Sequence, residues 1–135
     1  IMNGTIGLTL TVNGLDGQVL SDNMTLSIVA PATVSAGSDV VACSNTEGIE
    51  LTGTGSGYTA VQWMTTGTGT FSSPGSITAV YFPSQEDISN GMVTLTIIGV
   101  SPSPCSDVMD AKMVQFTAAP SATISGSADI CSGLI

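Results

Sequence analysis

The sequence predicts an all-β protein in which short strands pack as a β-sandwich, and three observations support this class. Val, Ile and Thr are abundant and often alternate with polar residues, which is typical of strands with one buried face. Clusters of Gly, Pro, Ser and Asn separate these stretches and supply turns. Charged residues make up only 8% of the chain, so long helices are not expected, while 42% hydrophobic residues suffice for a packed core.

Seven strands are predicted in the central part of the chain. The pattern is clear at 60–64, where Val61 and Trp63 alternate with Gln62, so that Trp63 is the expected anchor of the core. The Gly/Thr-rich run 66–71 is interpreted as the turn that leaves this strand, because a phosphate-binding loop would need a following Lys and a helix. In chain order, the predicted strands are 32–37, 39–43, 48–51, 60–64, 77–82, 92–100 and 112–117.

One short helical segment is predicted at 83–91. Ser84 is a candidate N-cap, and Asp87 stands three residues later, where a capping box places an acidic or amide side chain. Glu86 and Asp87 favour the first turn, and Gly91 favours the helix end. A catalytic use of this acid pair is the alternative to a capping role.

An internal repeat is visible along the chain. Segment 1–10 aligns with 88–97 at an offset of 87, with five identical residues. Segment 31–43 aligns with 120–131, and this alignment superimposes two cysteines at an offset of 88. Between these segments, a third match at the same offset of 88 relates Asp22, Leu26 and Ile28 to Asp110, Val114 and Phe116.

This repeat length divides the chain into three predicted pieces. A unit of this size can close its own core, whereas solenoid units of about 20–50 residues need their neighbours. The pieces are 1–30, the C-terminal half of a preceding repeat, 31–118, a complete repeat, and 119–135, the start of the next. We expect 1–30 to form two antiparallel strands with an uncovered apolar face made by Ile6, Leu8, Leu10, Leu26 and Ile28.

The charge balance excludes several functions. Ten acidic residues face one basic residue, Lys112, and the net charge is −9, which disfavours nucleic acid and anionic membrane surfaces as partners. No His or Arg is present, so His-dependent catalysis and Arg phosphate clamps are excluded. We therefore expect no enzyme activity, no catalytic residue, no cofactor and no metal. No apolar stretch is long enough to insert in a membrane.

A family resemblance rests on the residues of the complete repeat. The motifs are W-M-T-T-G-T-G-T-F (63–71), Y-F-P-S-Q-E-D-I-S-N-G-M-V-T-L-T (81–96) and P-C-S-D (104–107), together with the opening segment 31–43. These resemble the PKD-like, immunoglobulin-like repeats of giant cell-surface proteins from Bacteroidetes. The resemblance implies an immunoglobulin-like β-sandwich repeat of about seven strands, in tandem arrays on extracellular adhesins and gliding-motility filaments, often exported by type IX secretion.

Cys43 and Cys105 are expected to form a disulfide within the complete repeat. Cys43 lies near its start and Cys105 near its end, and a disulfide between them would span a sequence separation of 62, worth about 4 kcal/mol in a chain-entropy model. Cys131 is the next repeat's copy of Cys43, so its partner is expected beyond residue 135. A free thiol is the alternative. Metal or redox use would need C-x-x-C spacing, and a nucleophile would need His.

The expected function is that of a rigid structural and adhesive segment of a long extracellular fibre. Pro31 and Pro120 fix φ in short joints between repeats, which favours stiffness. The expected partners are neighbouring repeats of the same chain or identical chains in a filament, with surface glycans as a further candidate. A single Lys and no Arg also suit a protease-exposed, secreted location.

The alternative function is that of a carbohydrate- or calcium-binding accessory module of a secreted enzyme or adhesin. Calcium would require acids from two ends of the repeat to converge, but no D-x-D-x-D-G run is present. A sugar site would require exposed aromatic rings, for which Tyr58 and Tyr81 are available. The acids considered for calcium are Asp39, Glu47, Asp107 and Asp110.

Overall fold

A computed structural model describes residues 4–126 and confirms the all-β class, with one short helix. The strands are β1 (Gly4–Asn13), β2 (Val19–Ile28), β3 (Thr33–Ser35), β4 (Val40–Cys43), β5 (Ile49–Thr52), β6 (Thr54–Ser56), β7 (Ala60–Thr65), β8 (Thr70–Phe71), β9 (Thr78–Phe82), β10 (Met92–Val100) and β11 (Val108–Thr117). The helix α1 (Gln85–Asn90) joins β9 to β10. No helix in this described part of the chain is long and apolar enough to cross a membrane.

Two main sheets enclose one core. The larger sheet has the order β4-β11-β10-β7, in which β10 is antiparallel to both neighbours and β4 joins β11 in parallel. The smaller sheet has the order β5-β9-β8 and is antiparallel, and a short antiparallel pair is formed by β3 and β6. Side chains from both main sheets form the same buried cluster, as in a β-sandwich.

The core follows the alternation that the sequence predicts. Along β10, Val93, Leu95 and Ile97 are buried while the residues between them are partly exposed. Such alternation directs every second side chain to one face of a strand. The buried cluster consists of Ala36, Ala42, Ile49, Leu51, Val61, Trp63, Ala79, Tyr81, Val93, Leu95, Ile97, Val114 and Phe116.

Trp63 belongs to this cluster and is 1% exposed, in agreement with its expected role as a core anchor. Its indole Nε1 donates to the carbonyl of Ser76 at 3.0 Å, and its backbone N–H donates to the carbonyl of Pro74 at 2.7 Å. The connection between β8 and β9 therefore satisfies the polar edge of the ring as well as the backbone. A buried indole N–H needs such a partner.

The structure contains two strands that the sequence does not predict. Nine strands lie between Thr33 and Thr117, because β6 and β8 are present in addition to the seven predicted. Both are only two or three residues long and rich in Thr, Gly or Ser, so they carry too little hydrophobic alternation to be recognised. Strand β11 also begins at Val108, before the predicted 112, because its first residues pair with the end of β10.

Strands β1 and β2 form an antiparallel hairpin whose side chains are all exposed. The pairing of two strands in 1–30 is as expected from the sequence. The buried cluster of the molecule includes no side chain from this hairpin. The core of 31–118 is thus closed by its own residues.

We expect Trp63→Ala to destabilise the protein by about 3–5 kcal/mol, because it removes a large buried side chain and leaves a cavity. Urea denaturation followed by far-UV circular dichroism measures the change without depending on tryptophan fluorescence. The neighbouring Met64 is 53% exposed, so Met64→Ala is the matched control and should change stability by no more than about 0.5 kcal/mol. Equal effects of the two substitutions would contradict the central role of Trp63.

Candidate functional site

A buried carboxylate organises the corner between β7, β9 and α1. Asp87 is 1% exposed and accepts hydrogen bonds from the Tyr81 hydroxyl at 2.6 Å and from the backbone N–H groups of Thr68, Gly69 and Ser84 at 2.9–3.0 Å. Four donors therefore surround one carboxylate. A buried charge needs such compensation to be stable.

The same carboxylate caps helix α1, which confirms the capping box predicted from the sequence. The Ser84 hydroxyl accepts from the Asp87 N–H at 3.1 Å, while the Asp87 side chain accepts from the Ser84 N–H. Gly91 ends the helix in the left-handed region, with φ of 77°, and its N–H donates to Ile88. Because both oxygens of Asp87 already accept hydrogen bonds, this acid has a structural role.

The electrostatics of this corner keep Asp87 ionised and Tyr81 neutral. Burial has the largest influence on Asp87 and by itself raises its pKa, but hydrogen bonds from Tyr81, Ser84 and Thr68 outweigh it, so that the pKa lies below 3.8. Burial, followed by the bond to Asp87, raises the pKa of Tyr81 from 10.0 to about 12. The proton on the Tyr81 hydroxyl therefore stays in place at neutral pH.

Two glycines of the run 66–71 are required by this corner. A Cβ on Gly67 would overlap the Asp87 carboxylate, and a Cβ on Gly69 would overlap the Tyr81 hydroxyl. The run does leave the β7 strand as a turn, as the sequence predicts. Its glycines, however, allow close approach to side chains that are distant in the chain, Asp87 in the case of Gly67 and Tyr81 in the case of Gly69, and the local pattern contains no sign of these partners.

Three of the four acids considered for calcium, Asp39, Asp107 and Asp110, accept hydrogen bonds from separate parts of the backbone. Asp107 accepts from Ser101 N at 3.0 Å, Asp39 from Met113 N at 2.8 Å, and Asp110 from Ala36 N at 2.8 Å. The bond from Ala36 holds the pKa of Asp110 below its usual value. Within residues 4–126, no group of three or more potential ligands is placed to hold a metal ion.

The predicted disulfide between Cys43 and Cys105 is wrong, because both thiols are free. Cys43 ends β4 beside Thr117, the last residue of β11, whereas Cys105 precedes the first residue of β11. Ten residues of extended strand separate the two ends by about 30 Å. A disulfide needs Cα atoms about 4.4–6.8 Å apart. Cys131 lies outside the described residues.

The sequence could not show this separation. Cys43 and Cys105 are near the two ends of the repeat in the chain, which suggested a staple across it. The parallel pairing of β4 with β11 is what carries Cys43 to the far end of the sheet, and parallel pairing has no local sequence signature.

The β1–β2 hairpin reproduces the register of β10–β11 residue for residue. Ile6 pairs with Leu26 as Val93 pairs with Val114, and the same holds for Leu8 with Met24 and Leu95 with Lys112. These correspondences use the offsets of 87 and 88 found in the sequence. The structural repeat therefore agrees with the sequence repeat down to individual pairs.

The two hairpins differ in what covers them. In β10–β11, Leu95, Ile97 and Val114 are 0% exposed, whereas their counterparts in β1–β2, namely Leu8, Leu10 and Leu26, are 46%, 69% and 47% exposed. The apolar face of the β1–β2 hairpin is uncovered. It consists of Ile6, Leu8, Leu10, Val12, Leu20, Met24, Leu26 and Ile28.

No protein-family model matches the chain, and a search of curated proteins finds no match either.

We expect Gly67→Ala to destabilise the repeat by about 1–3 kcal/mol, because its new methyl group would displace the Asp87 carboxylate. Gly75→Ala is the matched control, since a Cβ there meets only the Val61 carbonyl at 3.8 Å. Thermal denaturation of both variants measures the difference. If Gly67→Ala were as stable as Gly75→Ala, the close contact between residue 67 and the Asp87 carboxylate would be contradicted.

Acid should weaken the repeat through Asp87. Its folded pKa lies below its unfolded value, so its contribution is fully present above about pH 4 and is lost as the pH falls through the folded pKa. Asp87→Asn should lower stability at pH 7 and flatten the acid decline, so that the two curves converge below pH 4. Urea titrations from pH 2 to pH 7 measure this. The control Glu86→Gln changes an exposed acid of the same turn and should keep the acid decline. Parallel curves for Asp87→Asn and the parent would contradict the assignment.

Proposed function

We propose that this chain is a segment of a long extracellular fibre built from tandem immunoglobulin-like β-sandwich repeats, and that its function is structural and adhesive. One observation carries the proposal. The β1–β2 hairpin has the register and the apolar face of β10–β11, but it lacks the strands that cover β10–β11. The division into 1–30, 31–118 and 119–135 belongs to the same proposal.

The surroundings of β10–β11 indicate what the hairpin needs. Strand β7 pairs with β10, β4 pairs with β11, and the β5-β9-β8 sheet closes the other side of the core. A hairpin of the same register fits the same surroundings, namely the counterparts of β4, β5, β7 and β9 in a preceding repeat. A lone hairpin is marginally stable in water, so such a cover would stabilise it.

The hydrogen bonds at the two ends of the repeat support stiff joints. Where the chain enters, Ala32 N donates to the Ser101 hydroxyl at 3.2 Å. Where it leaves, Ala119 N donates to the Ser44 hydroxyl at 2.9 Å. Both joints are thus tied to the body of the repeat close to their prolines, which leaves few residues free to rotate.

The surface chemistry supports an extracellular structural role. The single basic side chain, Lys112, is 5% exposed, so the folded repeat shields the site where trypsin-like proteases would cut. The binding-module alternative has less support. Tyr81 is fully buried and cannot stack on a sugar, and Asp39, Asp107 and Asp110 are engaged by separate backbone N–H groups.

An extended chain tests the proposal. It places a second copy of residues 31–87 directly before Ile1, since Ile1 matches Ile88 in the repeat. We expect the added strands to cover the hairpin, so that amide hydrogen exchange of residues 4–28 slows by at least about tenfold and binding of a hydrophobic dye falls. Hydrogen exchange mass spectrometry compares the extended chain with the parent.

The control for this experiment is Leu8→Asp in the extended chain, which puts a charge where Leu95 is buried in the complete repeat. It should restore fast exchange in 4–28 and leave 31–118 protected. Unchanged exchange of 4–28 in the extended chain without this substitution would refute the array.

A further inference from the structure

The two ends of the repeat carry one cysteine each, and the position of Cys43 is fixed by β11. Cys43 is the register partner of Thr117, and both are exposed. The next residue, Ser44, donates its N–H to the Thr117 carbonyl at 2.8 Å. The Thr117 carbonyl therefore accepts a hydrogen bond from the residue that directly follows Cys43.

The position of Cys105 is fixed at the opposite end, where the chain enters the repeat. Its Sγ donates to the Val29 carbonyl at 3.4 Å. Val29 directly follows β2 and belongs to the joint with the preceding piece of the chain.

The repeat relates these two carbonyl groups. Ile28 is the counterpart of Phe116, so Val29 is the counterpart of Thr117. If a preceding repeat pairs its β4 counterpart with β2 in the register of β4 and β11, its cysteine lies beside Val29. The residue after that cysteine then donates to the same Val29 carbonyl that Cys105 contacts.

We propose that Cys105 forms a disulfide with the preceding repeat's counterpart of Cys43, so that successive repeats are covalently linked across their joint. The inference rests on the proposed tandem array. Register partners on neighbouring strands are about 5 Å apart, so the preceding repeat's cysteine would lie about 5 Å from Val29. The Cys105 thiol contacts the Val29 carbonyl, and the two cysteines would therefore be close enough for a disulfide. Cys43 has the corresponding role toward the following repeat.

The chemistry requires an oxidant from outside the chain. Two thiols lose two protons and two electrons and form one S–S bond, while a low-molecular-weight disulfide such as oxidised glutathione accepts them and becomes two thiols. The leading piece 13–22 has no counterpart of Cys105, so the joint before it would lack this link.

The extended chain described above also tests this proposal, because it contains the added Cys43 together with Cys43, Cys105 and Cys131. Cyanogen bromide cleaves after Met and places these four cysteines on four different fragments, which are 31–64 of the added segment and 25–64, 93–109 and 114–135 of the original chain. After oxidation with glutathione disulfide, we expect mass spectrometry to find the added 31–64 joined to 93–109.

Matched variants and the exchange experiment separate the possible failures. Cys43→Ser in the added segment should leave 93–109 unlinked, whereas Cys43→Ser in the original chain should keep the link. If residues 4–28 are protected but Cys105 stays reduced or joins 25–64 or 114–135, the disulfide proposal is wrong and the array stands. If 4–28 stay unprotected, the array fails and the disulfide proposal fails with it.

Discussion

The central strand β10 is the element on which the fold of residues 31–118 depends. It is hydrogen-bonded on both edges, by β7 and β11, and its inward side chains Leu95 and Ile97 are 0% exposed. Every other layer is positioned by the need to cover this face, including Trp63 on the neighbouring strand and the β5-β9-β8 sheet across the core. The β1–β2 hairpin shows the same element without a cover, and its apolar residues are in contact with solvent.

Much of this fold follows from local sequence. The hydrophobic alternation at 92–100 predicts strand β10 with its observed bounds, and the spacing of Ser84 and Asp87 predicts the capped helix. Both signals depend on residues only a few positions apart. The internal repeat goes further, since it relates the pairing of Ile6 with Leu26 to that of Val93 with Val114. A repeat transfers register from one copy to another, which a single copy cannot provide.

The features that the sequence did not show are all long-range. The disulfide prediction failed because chain order does not tell which end of a sheet a strand reaches when its neighbour is parallel. The roles of Gly67 and Gly69 were missed because the groups that they approach, Asp87 and Tyr81, belong to other elements. Strands β6 and β8 were missed because two or three residues cannot show a period, so that only their pairing with β3 and with β9 defines them. In each case the deciding contact joins residues that no local window contains.

The parallel pairing of β4 and β11 has a mechanical consequence. The chain enters the repeat near Ser101, beyond the end of β10, and leaves at Thr117, so its two ends are at opposite poles and β11 runs between them. A force that pulls these ends apart acts along β11 rather than across it. The hydrogen bonds to β10 and to β4 then bear the load in shear, several at once, instead of opening one after another as in unzipping.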